Sequence, residues 1–156
     1  MRLYLAQHGD AVPEEQDPQR PLSERGCVDV RRVAEFLAGV GVRVSTILHS
    51  GKIRAEQTAT LLASSIAPAQ PPEKTSGIAP LDSASHFART ANAWTEDTMV
   101  VGHQPFMGRL VSHLLTGSET GMIVAFRPGS VVCLEKERGE NWQIAWMLRP
   151  ELLTKS

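Results

Sequence analysis

The sequence predicts an α/β fold, a three-layer α/β/α sandwich on a mostly parallel sheet with antiparallel strands at its C-terminal end. Two patterns predict it. Early in the chain, short apolar runs alternate with segments of helical periodicity, and strands separated by helices pair in parallel. The end of the chain instead carries three apolar runs joined by links too short for a parallel crossover. The 156 residues, 42% of them hydrophobic, suffice for one sizeable core, so 1–156 reads as a single domain.

Leu3–Gln7 is an apolar run closing on His8-Gly9, as a buried strand does. Asp10 to Leu22 contains Pro13, Pro18 and Pro21 and reads as a polar loop. Ser23 is a helix cap, and Cys27, Val30, Val33, Ala34 and Leu37 recur at helical spacing until Gly39 and Gly41 end the helix. Val42–His49 reads as the second strand and Gly51–Ile66 as the second helix, followed by a loop with Pro68, Pro71 and Pro72. Residues 73–79 give a minor strand, and Asp82–Trp94 a third helix. Thr98–Val101 is a buried strand, and Pro105 opens a helix to about Leu115, because a first helical turn tolerates proline. Met122–Phe126, Val131–Glu135 and Trp142–Leu148 close the chain as strands, separated by Arg127-Pro128-Gly129 and Arg138-Gly139-Glu140.

Charge and composition exclude several classes. Lys and Arg total 16 against 17 Asp and Glu, a formal charge of −1, so nucleic acid and anionic membranes find no basic surface. The apolar N-terminal stretch is too short for a signal peptide, and no run approaches the ~18 residues of a membrane span. Cys27 and Cys133 cannot build a disulfide framework or a four-cysteine zinc site and are expected as buried free thiols. A cytoplasmic protein with neither nucleic-acid nor membrane partners is expected.

Three strands end in histidine: His8-Gly9, His49-Ser50-Gly51 and Gly102-His103. Open α/β sheets bind ligands in the crevice outside the carboxyl ends of their strands, so two or three imidazoles can meet there. His49 either borders that crevice or packs in its wall, whereas His86 and His113 fall on helices and are expected partly exposed. Trp94, Trp142 and Trp146 lack interleaved basic residues and read as packing.

On the second helix Arg54, Gln57, Thr58, Leu61, Leu62 and Ile66 share one face, whose first half is polar at core-facing positions. Arg54 also lies in the first turn, where a cation opposes the helix dipole. An anion in the crevice, or a salt bridge to a loop carboxylate, would satisfy it. A phosphoryl group suits two histidines and a guanidinium. Neutral imidazole attacks phosphorus, Arg donates two parallel hydrogen bonds to phosphate oxygens, and helix starts add backbone N–H groups.

Leu3-Tyr4-Leu5-Ala6-Gln7-His8-Gly9-Asp10-Ala11, Arg20-Pro21-Leu22-Ser23-Glu24-Arg25-Gly26, Ser50-Gly51-Lys52-Ile53-Arg54-Ala55-Glu56-Gln57-Thr58-Ala59 and Val100-Val101-Gly102-His103-Gln104-Pro105 stand in this order along nearly the whole chain. Together they resemble the histidine phosphatase superfamily, and the compact length with Arg20-Pro21-Leu22-Ser23 resembles its SixA-type phosphohistidine phosphatase branch. The resemblance implies a phosphoglycerate mutase-like fold and a catalytic set of His8, Arg54 and His103. His8 would be the nucleophile, Arg54 would bind phosphoryl oxygens, and His103 would stabilise the transferred group. Gln7, Gly9, Arg20, Ser50 and Gln104 complete the implied phosphate-binding set. No cofactor or metal is implied. The implied partner is a phosphorylated protein of the histidine phosphotransfer type, with phosphate or sulfate as a simple occupant of the site.

Two positions depart from the family pattern. Gln7 stands where Arg is usual, which removes a charge and a bidentate fork, and Gly51 stands where Pro is frequent. A charge-assisted hydrogen bond is worth about 1.5–3 kcal/mol, so its loss slows turnover by roughly 10–100-fold unless Arg20 or Lys52 supplies the charge. The alternatives to a full phosphohistidine phosphatase are therefore a phosphate-binding pseudo-enzyme and a slow small-molecule phosphomonoesterase. Asp82, and after it Asp10, are the candidate leaving-group acids; phosphohistidine, with its labile P–N bond, tolerates a weak or absent one. A metal-dependent hydrolase built on His8, Asp10, His49 and His103 is the rival class, disfavoured because such a site generally needs several carboxylates or an aspartate bridge.

Overall fold

The computed structural model describes residues 1–154. In chain order it holds β1 (Arg2–Gln7), α1 (Glu24–Gly39), β2 (Thr46–His49), α2 (Ile53–Ile66), β3 (Glu73–Lys74), α3 (Ala84–Asn92), β4 (Thr98–Gly102), α4 (Phe106–Thr116), β5 (Val131–Glu135) and β6 (Gln143–Leu148), then a 3-10 turn at Pro150–Leu153. The six strands form one sheet in the order β3-β2-β4-β1-β5-β6. The first four neighbours pair in parallel, and β5 runs antiparallel to both β1 and β6.

Alternation along the strands divides the core in two. Tyr4, Ala6, Ile47, Met99, Val101 and Cys133 pack against α1 and α2, while Leu3, Leu5, Val100, Val132 and Leu134 pack against α3 and α4. This is the three-layer sandwich expected from the strand–helix alternation. α1 carries the chain from β1 to β2 over one face, and α4 leads from β4 towards β5 over the other. Adjacent strands β1 and β4 thus send their connections in opposite directions, which opens a crevice between their carboxyl ends. His8 and His103 are the residues next to those ends.

Several expected elements are corrected. Met122–Phe126 is not a strand: Val124 and Phe126 are buried in alternation, but β1 and β6 already occupy both edges of β5. The segment instead anchors in the α3–α4 layer. β2 starts at Thr46 rather than Val42, because the N–H groups of Val42 and Val44 go to Leu37 and Ile66 at the ends of α1 and α2. β3 keeps only Glu73–Lys74, an exposed edge paired with Leu48 and His49. α2 begins at Ile53 because Gly51 takes φ +90, outside helical space, and α3 is shortened to Ala84–Asn92 with Ser83 as its cap. Cys133 is buried as expected, but Cys27 is only half-buried. Among the described residues no helix is long and apolar enough to cross a membrane.

Candidate active site

Strand register brings the two imidazoles together. Gln7 lies opposite Gly102 across β1 and β4, so the next residue of each chain segment leaves the sheet side by side. The rings of His8 and His103 stand 5.0 Å apart, inclined by 50°. His8 N–H donates to Gly102 O and Gly129 N–H donates to His8 O, each at 3.0 Å, so the His8 main chain is held from both neighbours.

Nδ1 of His8 lies 2.7 Å from Gly9 O. A carbonyl only accepts, so Nδ1 carries the proton and Nε2 keeps its lone pair. Burial, opposed by the Gly9 bond and aided by the positive charges of Arg54 and Arg20, pushes the His8 pKa down to about 4. His103 is buried, with Nε2 2.6 Å from Ser50 Oγ. Burial, followed by His8, Arg54, Lys52 and Arg20, pushes its pKa down to about 3. Both rings are neutral at pH 7.

Arg54 occupies the first turn of α2, and burial together with the charge of Arg20 makes its guanidinium less basic than usual. Among the described residues no carboxylate pairs with it, so the salt-bridge account of its position does not hold. Gln7 Oε1, Arg54 Nε and His103 Nδ1 are buried without a hydrogen-bond partner. Native proteins leave few such groups, and these three come from three separate elements around one crevice.

Of Arg54, Gln57 and Thr58, it is the Arg54 side chain that has no partner among the described residues. Gly9 N–H donates to Thr58 Oγ1 at 3.0 Å, and that hydroxyl donates to Arg54 O at 2.7 Å. Gln57 is exposed rather than core-facing, and its Oε1 accepts from Leu22 N–H at 2.7 Å. The Gly9 N–H is therefore engaged by Thr58, and a Cβ at Gly9 would meet Val30 Cγ2 at 2.8 Å. Glycine is needed there for close approach to α1.

The remaining sequence candidates divide. Arg20 sits in the left-handed region at φ 49, its Nε donates to Val12 O at 3.1 Å, and its charge acts on both imidazoles and on Arg54. Gln104 turns its Oε1 to Gly108 N–H at 2.8 Å, covering the start of α4. Asp10 Oδ2 accepts from Ser23 Oγ at 2.6 Å and Asp82 Oδ2 accepts from Ala79 N–H at 2.8 Å, so both candidate acids brace loops. His49 is buried and its Nδ1 accepts from Gly51 N–H at 3.1 Å, a packing role in the crevice wall.

Sequence reasoning missed the loop before β5. Ser130 O accepts from Gln7 N–H at 3.0 Å, and Gly129 N–H reaches the carbonyls of Gln7 and His8. Its Pro-Gly signal marks a turn but carries no hint of what the turn touches. Among the described residues no three His, Cys, Asp or Glu side chains gather as metal ligands, and the cations that act on both rings are Arg20 and Arg54.

No protein-family model matches the chain. The phosphohistidine phosphatase SixA of Escherichia coli (strain K12) is 33% identical over 152 residues, covering 93% of this chain and 94% of that protein. Among solved structures, the protein histidine phosphatase SixA complexed with tungstate matches with a TM-score of 0.83 and 24% identity, over 99% of this chain and 100% of that one. The α-ribazole phosphatase of Shigella flexneri matches with a TM-score of 0.79 and 15% identity, over 96% of this chain and 97% of that one.

Proposed function

Since the chain belongs to the SixA branch of the histidine phosphatase superfamily, we propose that it removes the phosphoryl group from phosphohistidine on a protein, through phosphohistidine on its own His8. The observation that carries this reading is the His8 ring, pinned through Nδ1 to Gly9 O with Nε2 unprotonated down to about pH 4.

The Nε2 lone pair attacks phosphorus while the P–N bond of the substrate breaks, and its electrons return to the substrate ring. That ring, protonated on its other nitrogen, leaves as neutral imidazole. Phosphorylated His8 then carries a proton on Nδ1 as well as the phosphoryl group on Nε2, a cationic ring that the Gly9 carbonyl stabilises. Water attacks the phosphorus, and His8 leaves as the neutral imidazole it was, the water proton passing to solvent. Neither step needs a leaving-group acid. An alkyl ester would need one for its alkoxide, and Asp10 and Asp82 are both engaged elsewhere.

Arg54 and Arg20 bind the phosphoryl oxygens, and Gln7 Oε1, buried without a partner, accepts a hydrogen bond from the bound group or from water. His103 holds the transferred group as charge shifts onto its oxygens. The links Ser50–Lys52 and His103–Pro105 are short, so neither raises a wall over the imidazoles. Short links on these two sides suit a phosphohistidine presented on a protein surface. A substrate panel decides between readings: a phosphorylated histidine phosphotransfer protein should be turned over in excess chelator, well ahead of sugar phosphates and phosphoserine. Equal or better turnover of small esters would replace this reading with a metabolite phosphatase.

Two further results are expected. Gln7→Arg restores a charge-assisted donor worth about 1.4 kcal/mol or more and raises kcat/KM by roughly tenfold. A fall in steady-state turnover would mean the pocket is built around glutamine. The second concerns pH. Both folded-state histidine pKa values lie below 6.5, so the unfolded chain holds more protons and stability is lost as pH falls from 6.5 towards 4 and 3. A bound dianion reverses the sign by raising the His103 pKa. Sulfate affinity, measured by titration calorimetry, should rise by up to about tenfold per pH unit between pH 7 and 5, with one proton taken up. A pH-independent affinity would mean His103 stays neutral when the anion binds.

A further inference from the structure

We propose that Gln57 is a positioning residue for the phosphoryl site: its amide oxygen ties the loop that carries Arg20 to α2 and so holds Arg20 beside Arg54. The inference rests on the reading that these two arginines bind the phosphoryl group.

The loop between β1 and α1 is bonded mainly to itself. Val12 N–H donates to Pro21 O, Arg20 N–H to Asp17 O, and Ser23 N–H to Asp10 O, each at 2.9 Å. Ala11 and Leu22 form an antiparallel bridge, and Arg20 Nε closes on Val12 O. These bonds hold the loop together as a unit. Among the described residues, its hydrogen bond to α2 from positions 10–22 is Leu22 N–H to Gln57 Oε1 at 2.7 Å, two residues from Arg20. Arg54 lies three residues before Gln57, one turn earlier on the same helix.

The two guanidiniums repel, as the lowered basicity of Arg54 beside Arg20 records. With no carboxylate pairing either one among the described residues, their repulsion favours movement of the loop away from α2 while no anion bridges them. The neutral Gln57 bond opposes that motion. Its contribution is therefore preorganisation of two like charges for an oxyanion, which affects binding rather than the attack by His8. Gln57 is otherwise exposed and has no place in the core.

The test is a double-mutant cycle read on sulfate affinity and on the split between KM and kcat, with melting temperature as the control for folding. Gln57→Ala should weaken sulfate binding and raise KM by about five- to tenfold while kcat changes less than twofold. In an Arg20→Ala background the same substitution should have no further effect. Equal losses in both backgrounds, or no loss in either, overturn the proposal. An Arg20→Ala protein with wild-type sulfate affinity removes the phosphoryl role of Arg20 itself, and this inference with it.

Discussion

Replacing His8 by alanine is expected to lower turnover by roughly 10⁴-fold or more, because it removes the nucleophile on which the phosphoryl group is carried. The sharper readout is covalent. Wild-type protein quenched in alkali or phenol within milliseconds of mixing with a ³²P-labelled substrate should carry acid-labile label, and His8→Ala should carry none. Folding should survive the change. The main-chain bonds of His8 to Gly102 and Gly129 do not involve the ring, and the ring is a group whose protonated form burial disfavours. The variant should therefore fold and lose less stability than the wild type as pH falls from 6.5 towards 4. Sulfate binding should persist through Arg54 and Arg20. A wild-type protein that never labels but still binds sulfate would be a phosphate-binding module on an enzyme's scaffold, the outcome that the Gln7 departure keeps in view.

Arg54→Ala is expected to cut kcat/KM by roughly 10²–10³-fold, the range seen when one preorganised donor to a developing charge is removed. Arg54→Lys should recover little, since an ammonium lacks the planar fork and the Nε donor that lies buried and unpartnered in the free protein. Stability should move the other way. A guanidinium desolvated beside Arg20, with no carboxylate among the described residues to pair it, strains the free protein. Removing it should raise the melting temperature while activity collapses, and kinetics alongside thermal melts read both at once. A variant that loses activity only in proportion to lost fold would assign Arg54 to structure instead of phosphate.

Local chemistry in the sequence was enough for most of the scaffold. The runs at Leu3–Gln7 and Thr98–Val101, the Ser23 cap, and the periodicity of α1 and α4 each reflect burial or backbone preference within a few residues. The errors at 42–45 and 122–126 share a cause. Val42, Val44, Val124 and Phe126 are buried apolar residues, as strand residues would be, yet their backbones pair with helix ends or remain irregular. Hydrophobicity reports burial; it does not report which backbone lies alongside.

For the site, the sequence determined the kinds of group present: three histidines at strand ends, an arginine in a first helical turn, and a glutamine directly before the first of those histidines. Only the tertiary structure decided which of them meet. His103 stands against His8 because β4 pairs with β1, while His49, at the end of β2 on the far side of β4, turns to its own Gly51. Gln57 and Thr58 hold loops, Ser50 holds His103, and Asp10 and Asp82 close turns, because each is completed by a partner distant in sequence or fixed by loop geometry. Residue type is carried by each position alone, whereas a hydrogen bond about 3 Å long is a property of two positions, and folding is what sets the distance between them.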